Sequence, residues 1–113
     1  MYKIYHNPRC KKSRAGLAAL EAKATNIEVV EYIKHPLTEE GLDDLIRKTG
    51  MAVEELVRKQ EEYFKKNLKG KKLTYKEWIK EIAANPKLLQ RPLVVKGNRA
   101  VLADPPEKLK ELF

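Results

Sequence analysis

Apolar and polar residues alternate along Tyr2-Lys3-Ile4-Tyr5-His6, in a stretch rich in β-formers, and this predicts an opening strand that Asn7-Pro8 ends with turn chemistry. From about Lys11 to Ala24 the spacing changes: Ala and Leu dominate, and Leu17 and Leu20 fall on one face of a helix. Ile27 to Ile33 predicts a second strand. Two strands joined through a helix are normally parallel with a right-handed crossover, which puts Cys10 between the first strand and the first helix.

From Pro36 to Leu89 the periodicity is helical: Leu42, Leu45 and Ile46, then Val53, Leu56 and Val57, then Trp78, Ile79 and Ile82, with no convincing strand. Thr38 and Thr74 are expected N-caps, the second in a capping box with Glu77, while Gly50 and Asn85-Pro86 are stop signals. Beyond them, Leu93-Val94-Val95 and Ala100-Val101-Leu102 flank Lys96-Gly97-Asn98-Arg99 as an antiparallel hairpin. Asp104-Pro105-Pro106-Glu107 reads as the capped start of a last helix whose Leu109, Leu112 and Phe113 face the sheet. The order β-α-β, helical insert, β-β-α predicts an α/β fold with a mixed four-stranded sheet flanked by helices. A chain of 113 residues is the size of a single domain, with a core formed by about 1–35 and 90–113 and a helical insertion at about 36–89.

Composition narrows the function classes. The formal charge of +8 arises from lysines interleaved with glutamates, as in Glu61-Glu62-Tyr63-Phe64-Lys65-Lys66, so a solvated basic surface is expected rather than a nucleic-acid interface. Such a surface would still draw in small anions. No apolar run is long enough to span a bilayer and the start lacks a signal-peptide pattern, so no membrane association and a cytoplasmic location are expected. Two distant histidines, His6 and His35, and one cysteine make no metal-ligand pattern and no internal disulfide.

The chemistry concentrates at His6-Asn7-Pro8-Arg9-Cys10-Lys11-Lys12-Ser13-Arg14. A lone cysteine is often a small buried hydrophobe, but these polar flanks argue for partial exposure. At a helix N-terminus, unpaired N–H groups and the macrodipole favour the thiolate and offer an anion site. Arg14, about one turn on, is placed to reach the sulfur or a bound oxyanion with its planar fork. His6 at the strand end is a donor candidate for the thiolate, and the Ser13 hydroxyl, in the second position of a C-x-x-S pair, can hydrogen-bond it but cannot form a disulfide.

These residues resemble the H-x3-C-x3-R motif of the arsenate reductase (ArsC) family, in the ArsC/Spx-like branch of the thioredoxin-like fold. Leu56-Val57-Arg58-Lys59 is similar to that family's L-[LV]-R-K helix, and Leu89-Gln90-Arg91-Pro92-Leu93-Val94-Val95 to its L-x-R-P-[IL]-V-V segment. The resemblance implies that Cys10 is the catalytic nucleophile, that Arg58 and Arg91 bind the oxyanion, that His6, Arg14 and Ser13 tune the thiolate, and that the bond into Pro92 is cis. It further implies arsenate reduction with no bound cofactor or metal, using glutathione as co-substrate and a glutaredoxin-like protein as partner. With no second cysteine, the resolving thiol has to come from outside. At Asp104 the chain departs from the family, which typically carries an arginine there, and this admits a second expectation, a glutathione-dependent disulfide reductase acting on a mixed disulfide. A third, an Spx-like regulator that binds RNA polymerase, is opposed by Ser13, since redox-sensing members use a C-x-x-C pair.

Overall fold

A computed structural model describes residues 1–113. Its elements are β1 (Tyr2–His6), α1 (Lys11–Glu21), β2 (Ile27–Glu31), α2 (Glu39–Thr49), α3 (Tyr75–Ala84), β3 (Leu93–Lys96) and β4 (Arg99–Leu102). Short 3-10 segments at Val53–Leu56, Pro86–Leu88 and Pro106–Leu112 and one π-helical turn at Phe64–Leu68 complete the chain. The four strands form one mixed sheet in the order β2-β1-β3-β4, with β1 parallel to β2 and antiparallel to β3. This is the thioredoxin-like arrangement expected from the sequence.

The alternation in β1 determines how the sheet is covered. Ile4 pairs with Val94 and points to one face, where it packs with Leu20 of α1, Ala103 and Leu109. Tyr5 pairs with Leu93 and points to the other, where Leu42, Leu45 and Ile46 of α2 meet Trp78, Ile79 and Ile82 of α3. Burying each of the aliphatic side chains contributes roughly 1.5–3 kcal/mol, and helices pack on both faces of the central strands β1 and β3.

The caps follow the sequence signals. Thr38 Oγ1 accepts from the Gly41 N–H at 3.0 Å, Thr74 Oγ1 accepts from the Glu77 N–H at 3.2 Å, and Glu77 returns the bond to the Thr74 N–H at 2.8 Å. Gly50 ends α2 in the left-handed region, with φ 68°. Gly97, φ 61°, is the first central residue of the two-residue β3–β4 turn, and it alone there has positive φ, as a type II′ hairpin requires.

Five expectations are corrected. α1 stops at Glu21 rather than Ala24 because the Lys23 and Ala24 N–H groups both turn back to the Leu20 carbonyl, at 2.9 Å each. β2 stops at Glu31 rather than Ile33: the chain turns there, and the Lys34 and His35 N–H groups bond the Glu31 carbonyl. Within the helical stretch, Val57 leaves the helical path and forms an antiparallel bridge with Leu89, flanked by bonds from Arg58 N–H to Leu88 O (2.7 Å) and Gln90 N–H to Leu56 O (2.8 Å). The C-terminal segment is a 3-10 helix that starts one residue later than its sequence signal, with Pro105 and not Asp104 in the N-cap position. Asp104 instead pairs with Lys12 of α1, Oδ2 to Nζ 3.4 Å. Phe113, too, lies 54% exposed and stacked on Tyr2 instead of facing the sheet.

Gly16, in the middle of α1, has a packing reason. A Cβ built there would lie 2.4 Å from Pro92 Cγ and 3.3 Å from the Ala103 carbonyl oxygen. Gly→Ala in a helix interior ordinarily stabilises by about 1 kcal/mol, but overpacking against a rigid ring costs typically 1–3 kcal/mol. Gly16→Ala is accordingly expected to lower the denaturation midpoint in urea; a midpoint raised above wild type would show that the contact is not tight.

Candidate active site

The loop between β1 and α1 is built by its own sequence. Asn7 to Cys10 form a β-turn closed by the Cys10 N–H to the Asn7 carbonyl at 3.0 Å, with Pro8 in the position that prefers its fixed φ. Asn7 Oδ1 accepts the Arg9 N–H at 3.1 Å, a further local brace. Cys10 is then the N-cap of α1, extended at φ −96° and ψ 123°, and its carbonyl takes the first helical bond from Arg14 N–H at 3.0 Å. The sulfur is partly buried.

The first turn of α1 reverses the usual charge preference. α2 has Glu39 and Glu40 at its start and Arg47 and Lys48 at its end, as the macrodipole favours. α1 has no acid in its first turn and carries Lys11, Lys12 and Arg14 there. Gathering cations at the positive end of a helix is unfavourable unless an anion completes the site.

Burial of the Cys10 thiol pushes its pKa up, but the Ser13 N–H, the Arg91 guanidinium beside the sulfur and the Lys12 N–H outweigh that, and the net direction is below the ordinary thiol value. Arg91 comes from the segment just before β3. Its side chain is buried, its Nη1 donates to the Lys87 carbonyl at 3.0 Å and, less closely, to the Leu89 carbonyl at 3.4 Å, and its Nε is buried with no partner. The Arg91-Pro92 peptide is cis. A buried guanidinium N–H left unpaired costs on the order of 1–3 kcal/mol, so an acceptor supplied by a ligand would remove a real penalty.

The side chains of the remaining sequence-nominated residues bond partners other than the sulfur. His6 is buried and bonds no sulfur; its Nδ1 lies 2.7 Å from Ser13 Oγ. That same oxygen accepts the Asn7 N–H at 2.9 Å, so the Ser13 proton is free to go to Nδ1, which fits a neutral imidazole protonated on Nε2. Burial lowers the His6 pKa, opposed by the Glu31 carboxylate and helped by Arg14, which agrees with a neutral ring. The Ser13 hydroxyl is thus committed to His6 and Asn7, and only its backbone N–H faces the thiol. Arg14 Nη1 donates to the Pro8 carbonyl at 2.9 Å and ties down the turn rather than gripping the sulfur. Arg58 is held by Glu61, Nε to Oε2 3.0 Å, and its charge, like that of Arg91, acts to lower the pKa of Tyr32. No group of three or more His, Cys, Asp or Glu side chains is placed to hold a metal ion.

Two neighbours, Tyr32 and Glu61, and one pairing, Lys12 with Asp104, escaped the sequence reading. For Tyr32 a signal exists, because a tyrosine inside the apolar run Val29-Val30-Glu31-Tyr32-Ile33 brings a hydroxyl that needs a partner once buried. Glu61 lies three residues after Arg58, the spacing of a local ion pair. The Lys12–Asp104 pair joins distant segments and has no local signature.

Comparison with known proteins agrees with this geometry. A profile described as the ArsC family matches residues 5–112. The Escherichia coli protein YfgD is 40% identical over 112 residues, covering 97% of this chain and 94% of its own. An arsenate reductase of Neisseria meningitidis is 36% identical over 113 residues, covering 98% of this chain and 97% of its own. The solved structure of an arsenate reductase from Vibrio cholerae superposes with a TM-score of 0.93 at 35% identity, over 99% of this chain and 97% of that one. No helix of the fold is long and apolar enough to cross a membrane. With the cysteine, its helix and the buried arginine all in place and the match running through nearly every residue, the chain belongs to the ArsC family.

Proposed function

We propose that this chain is a thiol-dependent oxidoreductase that reduces arsenate to arsenite through Cys10, with glutathione and a glutaredoxin-like protein as the external reductants. The observation that carries the reading is the Cys10 thiol at the start of α1 with the buried Arg91 guanidinium beside it and Arg91 Nε lacking a partner. In this mechanism Arg91 and Arg58 hold the arsenate oxygens, and the Cys10 thiolate attacks arsenic. One oxygen leaves as water and a Cys10 sulfur–arsenic(V) bond forms. A glutathione thiolate then attacks the Cys10 sulfur; the sulfur–arsenic bond breaks, its electron pair stays on arsenic, and arsenite departs. Cys10 is left in a mixed disulfide with glutathione, which a second thiol, from glutaredoxin or glutathione, attacks to restore the enzyme. Arsenic gains two electrons and two external thiols become one disulfide.

His6, Ser13 and Arg14 act in this scheme by holding the Asn7–Cys10 turn, and so the Ser13 N–H, in place against the sulfur. Pro92, next to Arg91, packs against Gly16 of the helix that Cys10 begins. The dependence on an external thiol puts the protein in a reducing compartment, the cytoplasm.

A second reading keeps the nucleophile and changes the substrate to a glutathione mixed disulfide. Asp104 favours it: an acid occupies the position where the family typically has an arginine, and its pairing with Lys12 neutralises one of the cations at the start of α1. The deciding experiment measures arsenite release and deglutathionylation side by side, with glutathione and glutaredoxin present. Arsenate turnover well above the thiol-only background supports the first reading, and deglutathionylation without it replaces that reading by the second.

A further inference from the structure

The Tyr32 ring is 1% exposed, at the turn that follows β2, and its hydroxyl donates to the Leu89 carbonyl at 3.0 Å across 57 positions of sequence. The same carbonyl is the weaker of the two acceptors of Arg91 Nη1, at 3.4 Å against 3.0 Å for Lys87. The two donors therefore share one buried oxygen, and the tyrosine holds the shorter bond. Burial pushes the Tyr32 pKa up to about 12, with Arg91 and Arg58 opposing and Cys10 reinforcing, so the phenol stays a neutral donor throughout the working range. Leu89 also belongs to the bridge with Val57, next to Arg58, so one hydroxyl bonds the segment that joins both arginines.

We propose that Tyr32 is a positioning residue for the anion-binding arginine: by occupying the Leu89 carbonyl, its hydroxyl keeps the Arg91 guanidinium from being drawn back onto that oxygen and leaves its free edge turned toward Cys10. Without the hydroxyl, the buried Leu89 oxygen would keep only the long 3.4 Å bond from Arg91 Nη1, and shortening that bond to satisfy it fully would pull the guanidinium away from the sulfur. The inference rests on Cys10 and Arg91 forming the reacting centre, but not on arsenate being the substrate.

Tyr32→Phe tests it, since it keeps the ring that fills the core and removes only the donor. The readouts are the rate of Cys10 alkylation by iodoacetamide as a function of pH, and the protection of Cys10 from alkylation by inorganic phosphate, an inert oxyanion. The expected result is an alkylation profile displaced to higher pH, a rate at pH 7 lower by about threefold, and a higher phosphate concentration for half-protection. In Arg91→Lys the same Tyr32→Phe change is expected to have little further effect on either readout, because the group it positions is gone. A purely structural role would lower the urea midpoint of Tyr32→Phe and leave both profiles unchanged, and that result overturns the proposal. Equal effects of Tyr32→Phe in the wild-type and Arg91→Lys backgrounds overturn it as well. Because neither readout requires arsenate turnover, failure of the arsenate reading alone leaves both results interpretable.

Discussion

Cys10→Ser is expected to release no arsenite above the rate of glutathione acting on arsenate unaided. The chain has one cysteine, so the change removes its only thiolate, and no second residue of the site offers a comparable nucleophile at neutral pH. A serine hydroxyl at the same N-cap position retains the helix start and is a better capping residue than cysteine, so stability should be unchanged or slightly raised. The measurement pairs arsenite production with a urea melt: a folded variant with no turnover is the expected outcome, and turnover equal to wild type would eliminate Cys10 from the reaction. The wild-type pH profile offers an independent check. Its acidic limb should lie below the range of an ordinary thiol, because the groups that outweigh burial at the sulfur favour the thiolate.

The second large effect is expected at Arg91. Lysine retains the charge but loses the planar fork, and the ammonium cannot donate to the Lys87 carbonyl and the bound oxyanion in the same geometry. Removing a preorganised donor to an oxyanion typically costs about 10²- to 10³-fold in rate. Arg91→Lys should therefore lower kcat/KM for arsenate by about 10²-fold and also slow Cys10 alkylation, since the guanidinium is one of the groups that lower the thiol pKa. A decrease of less than about threefold in kcat/KM would mean that Arg91 does not contact the transition state. The equivalent change at Arg58 should be smaller, because Arg58 is already engaged by Glu61.

The parts of the fold determined by local chemistry were readable from the chain. The two-residue alternation of β1, the threonine caps at Thr38 and Thr74, and Gly97 in the hairpin each depend on residues within a few positions of one another. The Asn7-Pro8 turn and the cysteine at the start of α1 belong to the same class, which is why the centre of the site was legible. What the sequence did not disclose was how the polar groups would share partners. His6 and Ser13 are seven positions apart, and nothing local dictates that the hydroxyl would serve the imidazole and the Asn7 N–H instead of the sulfur. Asp104 carries the sequence signature of a cap, yet the helix starts one residue later, after Pro105, and a lysine from the opposite end of the chain takes the carboxylate. The Val57–Leu89 bridge is likewise a pairing over a long loop, invisible to periodicity.

The contact between Gly16 and Pro92 places the cysteine-bearing helix and the arginine-bearing segment in touch with no intervening side chain. The spacing of the two backbones that carry the nucleophile and the guanidinium is thus set by direct contact, and only the Arg91 side chain itself is left to move. If both arginines hold the anion as proposed, Arg58 is the more adjustable of the two, since its partner is the Glu61 carboxylate whereas Arg91 is tied to backbone carbonyls.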